Sequence, residues 1–295
     1  MLLKSIKNTF HLRRALGKLH GGKNILAISV GLIISGMATT PSTSFASCDE
    51  GTAIISGDTR YPPLSWQKGG TLVGTNVEMV QKIFAEVGIK AIADEGGPWK
   101  RVLLRAKRGE VDLLLGVRKS PEREEYLTFV YPAITPSVQG VFFPAGKKSA
   151  YEEWSDLKNK VGSITLGASF GKEFDKYMHE NLYIEEVRMV EQNFTKMELG
   201  RVDYILGPLM PTLMYLRKAG YTTKIVNSTK PLLIIDEFLA FSQKSSCKKY
   251  AAHFSKRIQE LIEDGSIDTI MEKYFISWFE DEGDAVDAAD KAPQP

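Results

Sequence analysis

The 295-residue chain is poor in the residues that carry most enzyme chemistry: it has two cysteines and four histidines. The histidines are His11, His20, His179 and His253, and they form no cluster with metal-ligand spacing. No glycine-rich phosphate loop and no nucleophile elbow appears, so nucleotide-dependent and serine-hydrolase chemistry lack their usual sequence carriers. Glu173 and His179 share one predicted helix, a pattern that fits a solvated face. Net charge is also scarce, at +2 from 38 basic and 36 acidic residues. Beyond the first 23 positions the basic residues are scattered, so nothing calls for nucleic acid. No cofactor or metal is indicated. What is present is 43% hydrophobic and 25% charged residues, enough for one large globular domain or two lobes.

The N-terminus differs from the rest. Lys4, Lys7, Arg13, Arg14, Lys18 and Lys23 precede the apolar run 25–38 and then Pro41. A basic region, an apolar core and a small-residue exit match a secretory signal peptide. Ser44 and Ala46 supply the small residues that favour cleavage after Ala46, which makes 1–46 the signal and Ser47 the mature start. The run is shorter than the ~20 residues of a membrane span, and a retained anchor is the alternative. Arg13 and Arg14 lack the flanks of a twin-arginine signal. Cys48 and Cys247 both survive cleavage, and in an oxidising compartment such a pair suggests a disulfide. A lipid-modified Cys48 is the other reading, although Phe45 suits a lipobox poorly.

Along the mature chain, hydrophobic periodicity alternates between strand and helix. Ala53–Ser56 reads as a first strand, followed by a loop that Tyr61, Pro62 and Pro63 hold extended. Asn76 is a candidate N-cap for a helix whose apolar residues Val77, Val80, Ile83, Phe84 and Val87 recur at helical spacing before Gly88. A helix at Lys100–Lys107 then feeds the apolar strand Val111–Leu115, of the kind buried in a parallel sheet. Short extended runs follow at Leu127–Val130 and Val138–Phe143. A second unit begins near Tyr151, with a strand at Val161–Thr165, a helix at Lys172–His179 and another ending at Gly200. Val202–Leu206 echoes Val111–Leu115, each two residues after a glycine, which implies two α/β units of similar size. Strand Phe238–Ser242 and helices Lys248–Asp264 and Ile267–Tyr274 close the fold. The stretch 280–295 is rich in Asp, Ala and Pro without periodicity and is expected to be a disordered tail.

Several ordered motifs carry a resemblance: Tyr61-Pro-Pro-Leu-Ser-Trp66, Leu72-Val-Gly74, Gly109-Glu-Val-Asp112, Ser120-Pro-Glu-Arg123, Trp154-Ser-Asp-Leu157, Gly200-Arg-Val-Asp203, Asp264-Gly265 and Lys273-Tyr-Phe275. In this order the chain from Ala53 to about Phe275 resembles the bacterial periplasmic solute-binding proteins of family 3, the polar amino-acid transporter type. The resemblance implies an α/β, two-lobed type II periplasmic-binding-protein fold, each lobe a mixed sheet flanked by helices. Lobe one would comprise 47–136 and 237–279 and lobe two 137–236, with crossings near Thr135–Gln139 and Leu233–Glu237. Both chain ends then fall in lobe one, which brings Cys48 and Cys247 together. The implied protein is a periplasmic, non-catalytic monomer that binds a small-molecule ligand. Its partner is an inner-membrane ABC permease or, in a sensing role, a receptor; a dehydratase-like enzyme of the same fold is the rival.

The resemblance also implies a site. Arg123 would grip a ligand carboxylate through its guanidinium fork, helped by backbone near Arg118. The bland alternative is a helix-start arginine paired with Glu122 or Glu125. Gly167, Ala168 and Ser169 match a turn whose helix N-terminal amides complete the grip, Ser169 being otherwise only an N-cap. Tyr61, Trp66 and Trp99 would supply aromatic walls, and Asp58 would reach a distal ligand group or merely shape a turn. Two departures matter. The acidic residue that pairs with a ligand ammonium, five positions after Asp203, is Pro208, leaving Asp236 or Glu237 as substitutes; and Arg118 stands where Ser or Thr is common. Both departures favour a more anionic solute.

Overall fold

The computed structural model describes residues 48–94, 96–97, 99–146 and 151–280. The expected signal peptide and the expected tail past Glu280 lie outside these residues. The first βαβ unit contains β1 (Thr52–Gly57), the hairpin strands β2 (Arg60–Tyr61), β3 (Ser65–Lys68) and β4 (Thr71–Val73), α1 (Thr75–Glu86), β5 (Lys90–Ala93), α2 (Trp99–Arg108) and β6 (Leu113–Arg118). A short α3 (Pro121–Glu124), β7 (Leu127–Phe129) and the long β8 (Thr135–Pro144) follow. The second unit has a 3-10 turn Trp154–Leu157, β9 (Val161–Thr165), α4 (Lys172–Asn181), β10 (Tyr183–Val187), α5 (Val190–Glu198), β11 (Tyr204–Pro208), α6 (Leu209–Lys218) and β12 (Ile225–Asn227). β13 (Leu233–Ser242), a 3-10 turn Ser246–Tyr250, α7 (Ala251–Glu263) and α8 (Ser266–Glu280) complete the chain.

The strands form a mixed sheet in the order β10-β9-β11-β8-β13-β6-β1-β5, with β12 on β8 and β7 on β13, while β2-β3-β4 make a small separate sheet. β1 pairs parallel with β5 and β6, and β9 parallel with β10 and β11, so each half of the sheet is a βαβ construction. The two halves meet through β8 and β13, which are antiparallel over Thr135–Gln139 against Leu233–Glu237. Past that overlap β8 pairs with β11 and β13 pairs with β6. Each crossing strand therefore begins in one half and ends in the other.

The echoing Gly-x-Val-Asp segments have a common structural cause. The Asp112 amide donates to the Ile54 carbonyl at 2.8 Å, while its carboxylate accepts the Ile54 amide at 2.7 Å. Asp203 makes the same reciprocal pair with Val161, at 2.7 and 2.9 Å. Each aspartate clamps the first strand of its unit to the third. The regular ladder consequently starts two residues later than hydrophobicity alone suggests, at Leu113 and Tyr204.

Helix α1 starts before Asn76, which is a correction. Gly74 is its N-cap at φ 133°, and Asn76 lies inside the first turn, 2% exposed. A Cβ at Gly74 would lie 2.5 Å from the Leu64 carbonyl oxygen, because the β2–β4 hairpin is pressed against the helix start. Thr75 Oγ1 donates to the Pro63 carbonyl at 2.9 Å, so the proline loop also seats the start of α1. Val80, Ile83 and Phe84 pack into a core with Ile55, Leu115 and Phe241, covered by Phe254 and Ile258 of α7. Cys48 and Cys247 form a disulfide at the edge of this core. A second core gathers Val141, Ile164, Phe174, Tyr204 and Leu206. Helix α6 is absent from the sequence reading; its Pro211 falls in the first turn, where a missing N–H costs nothing. The C-terminal helix is longer than its periodicity indicates and includes Glu280.

Candidate functional site

Side chains from several elements converge where β8 and β13 overlap. Residues directly opposite in an antiparallel pair share a face, so Thr135, Ser137 and Gln139 line up with Glu237, Ile235 and Leu233. Glu237 is 3% exposed. The Tyr61 hydroxyl reaches over from β2, donating to Glu237 Oε1 at 3.1 Å and lying 2.5 Å from Ser137 Oγ. Gln139 Nε2 donates to the same Ser137 Oγ at 2.7 Å. Arg118, at the end of β6, places its Nε 3.7 Å from Glu237 Oε1, an ionic contact too long for a good hydrogen bond.

The electrostatics follow from burial. Loss of water pushes the Glu237 carboxyl up to about 7, with Arg118 and the Tyr61 hydroxyl opposing and Asp58 adding to the rise. Burial likewise holds the Tyr61 phenol above its usual range. Asp58, in the β1–β2 loop, is also raised by burial, against the Arg60 amide and the charges of Arg60 and Arg118. It accepts the Arg60 amide at 2.9 Å, so it shapes this turn besides facing the cluster.

Arg123 is set by the loop after β6. Ser120 caps α3, its Oγ accepting the Arg123 amide at 3.3 Å, and Pro121 opens the helix. The guanidinium turns back so that Nη1 donates to the Arg118 carbonyl at 2.8 Å. Among the described residues Arg123 forms no ion pair with Glu122 or Glu125, unlike the bland expectation. Burial pushes its guanidinium below the ordinary value and Arg118 acts in the same direction. Two neighbouring cations, only one of them beside a buried carboxylate, make a place where an added anion is stabilised.

The other expected residues fall into separate groups. Trp99 opens α2 half-buried and rests against the patch formed by Val102, Leu114 and Val117. Trp66 does not face a cleft, which is a correction: it is 4% exposed, with its ring edge-on to Tyr274 and Trp278 of α8. Alternation along β3 sends its indole inward, where α8 covers it. The Gly167-Ala168-Ser169 turn follows β9, with Gly167 at φ 82° and the Ala168 amide donating to the Thr165 carbonyl at 2.9 Å. Ser169 is not the N-cap of α4. That position is Gly171, while Ser169 Oγ donates to Asp175 Oδ2 at 2.6 Å. This turn lies across from the first half, since a Cβ on Gly167 would sit 3.9 Å from Lys100 Cε. The halves also meet where Arg60 Nη1 donates to the Arg188 carbonyl at 3.1 Å. Arg118, Arg123, Tyr61 and Asp58 thus form one cluster, and the Gly167–Ser169 turn stands apart from it. A surface cavity of about 470 Å³, lined by Tyr151, Trp154, Tyr177 and Lys230, shares no residue with either group.

Pro208 ends β11 and caps α6, so this position offers no carboxylate. Thr135, Ser137 and Gln139 were missed from sequence. Their signal is a stripe of polar residues at period two entering an otherwise apolar strand, Thr135–Pro144.

The family model for bacterial extracellular solute-binding proteins, family 3, matches residues 54–277. The probable amino-acid-binding protein YxeM of Bacillus subtilis (strain 168) is 22% identical over 220 residues, covering 72% of this chain and 80% of that protein. Among solved structures, the amino acid ABC transporter substrate-binding protein AbpA from Streptococcus pneumoniae, bound to L-arginine, superposes with a TM-score of 0.65 at 19% identity, covering 78% of this chain and 97% of that one. An ancestral arginine-binding protein bound to glutamine gives a TM-score of 0.62 at 20% identity, covering 76% of this chain and 98% of that one. These structures share the type II periplasmic-binding-protein fold with this chain.

Proposed function

We propose that this chain, which belongs to the bacterial extracellular solute-binding proteins of family 3, captures a small solute bearing an anionic group between two lobes. Lobe one is 47–136 with 237–279, and lobe two is 137–236. The observation that carries this reading is the placement of Arg118 and Arg123 beside the overlap of the two crossing strands, next to Tyr61 and Glu237. A solute anion takes the paired guanidiniums, Tyr61 and Trp99 flank it, and the amides of the Gly167–Ser169 turn approach from lobe two. Because the anchors sit on both lobes, a bound solute stabilises the closed arrangement by contacts the open one lacks. The chain is exported and hands its cargo to an ABC permease. No bond is made or broken in this cycle.

A thermal-shift screen of amino acids, dicarboxylates and small peptides identifies the solute, since a ligand that binds only the native state raises its melting temperature. Arg123→Ala should then weaken binding of that solute by about 2 to 4 kcal/mol, the usual cost of truncating one member of a buried charge pair. An unchanged dissociation constant refutes the site.

A further inference from the structure

Hydrogen bonds join the crossing strands to Tyr61. The Tyr61 hydroxyl donates to Glu237 Oε1 at 3.1 Å. Ser137 Oγ lies 2.5 Å from that hydroxyl and accepts from Gln139 Nε2 at 2.7 Å. The Gln139 amide thus turns its nitrogen toward Ser137. Its other end, Oε1, is buried without a hydrogen-bond partner among the described residues, on a side chain that is 0% exposed. Thr135 Oγ1, two steps along the same stripe, is orphaned in the same way. Seven buried side-chain polar atoms lack a partner among the described residues, and these two are the ones that lie on the crossing strands; each such orphan calls for an explanation.

The register supplies one. Gln139 is the direct partner of Pro208 in the β8–β11 ladder. Directly opposed residues share a face, with Cβ atoms about 5 Å apart. Pro208 is where relatives were expected to carry the acid that pairs with a ligand ammonium, and proline has no acceptor in its side chain. The vacant acceptor role and the vacant acceptor atom are therefore neighbours on one face of the sheet.

We propose that Gln139 is a specificity-determining residue of the cleft, its Oε1 receiving a donor group of the solute (ammonium, amide N–H or hydroxyl) in the place that Pro208 leaves without an acceptor. The inference rests on the solute-capture reading above. It sharpens the ligand class to a molecule with an anionic end for Arg118 and Arg123 and a hydrogen-bond donor directed at the crossing strands. A plain dicarboxylate satisfies the first requirement and not the second.

The test uses the mature protein and matched probes: each L-amino acid that raises its melting temperature, and the desamino acid with hydrogen in place of the ammonium. Isothermal titration should show the amino acid binding roughly tenfold tighter or more, as a hydrogen bond to a charged group provides. Gln139→Leu should bring that ratio close to one while leaving the desamino affinity unchanged. Gln139→Met, similar in length and lacking the strong acceptor, serves if the leucine variant does not fold. Gln139→Glu should widen the ratio. A ratio unaltered in a folded variant, or no preference in the wild type, overturns the assignment while leaving solute capture intact. If no probe or desamino acid binds the wild type, the assignment falls; the solute-capture reading falls with it only if the dicarboxylates and small peptides of the screen also leave the melting temperature unchanged.

Discussion

Replacing Glu237 by Gln keeps the shape of the side chain and removes its ionisation. In the folded protein this carboxyl is pushed up to about 7 from an ordinary 4.5, chiefly by burial. Arg118 from β6 and Tyr61 from β2 favour its charge, and Asp58 from the β1–β2 loop opposes it. Between those two pH values the folded state keeps a proton that the unfolded chain has already released. Stability must then fall as pH rises through this window, because the folded state binds more protons than the unfolded one. From 4.5 to about 7, at about 1.4 kcal/mol per pH unit, the loss amounts to about 3 kcal/mol. With its side chain only 4% exposed, solvent screening takes little from that figure. Urea unfolding of wild type and Glu237→Gln at pH 4.5, 6 and 8 measures it, and taking the difference between the two proteins cancels the histidines and surface carboxylates that both share. Glu237→Gln should become more favourable relative to wild type as pH rises. Parallel stability curves would show that Glu237 titrates as an ordinary carboxylate and refute the reasoning.

Two further predictions concern the frame that holds the site. Asp112→Ala removes the acceptor of the Ile54 amide and of Ser245 Oγ, at 2.7 and 2.5 Å, and should lower stability by about 1 to 3 kcal/mol, read as a drop in denaturant midpoint. Gly74→Ala places a Cβ 2.5 Å from the Leu64 carbonyl oxygen at φ 133° and should cost at least about 1 to 3 kcal/mol. A melting temperature equal to wild type would show that the hairpin yields freely.

Much of the fold was legible in the chain because its signals are local. The apolar spacing of Val77, Val80, Ile83 and Phe84 describes a helix face without any knowledge of what covers it, and the repeated Gly-x-Val-Asp segments mark two similar units. The motif Ser120-Pro-Glu-Arg123 likewise specifies its own cap and helix start, which is why Arg123 was found from sequence. Local signals fail where a neighbour distant in sequence decides. Asn76 looked like an N-cap, but the hairpin pressing on Gly74 starts the helix earlier. Trp66 looked like a cleft aromatic until α8, some 200 positions on, covered it.

The alternation of strands and helices, the pair of cysteines, the two arginines and the lack of an acid at Pro208 are all written in the residue order. Tertiary structure alone decided what surrounds them. The pairing of β8 with β11 sets Gln139 beside Pro208, and the pairing of β8 with β13 sets Ser137 and Glu237 under Tyr61. The physical reason is that side-chain direction along a strand follows from its own period of two, whereas register and burial are properties of the partner strand, which no local pattern contains.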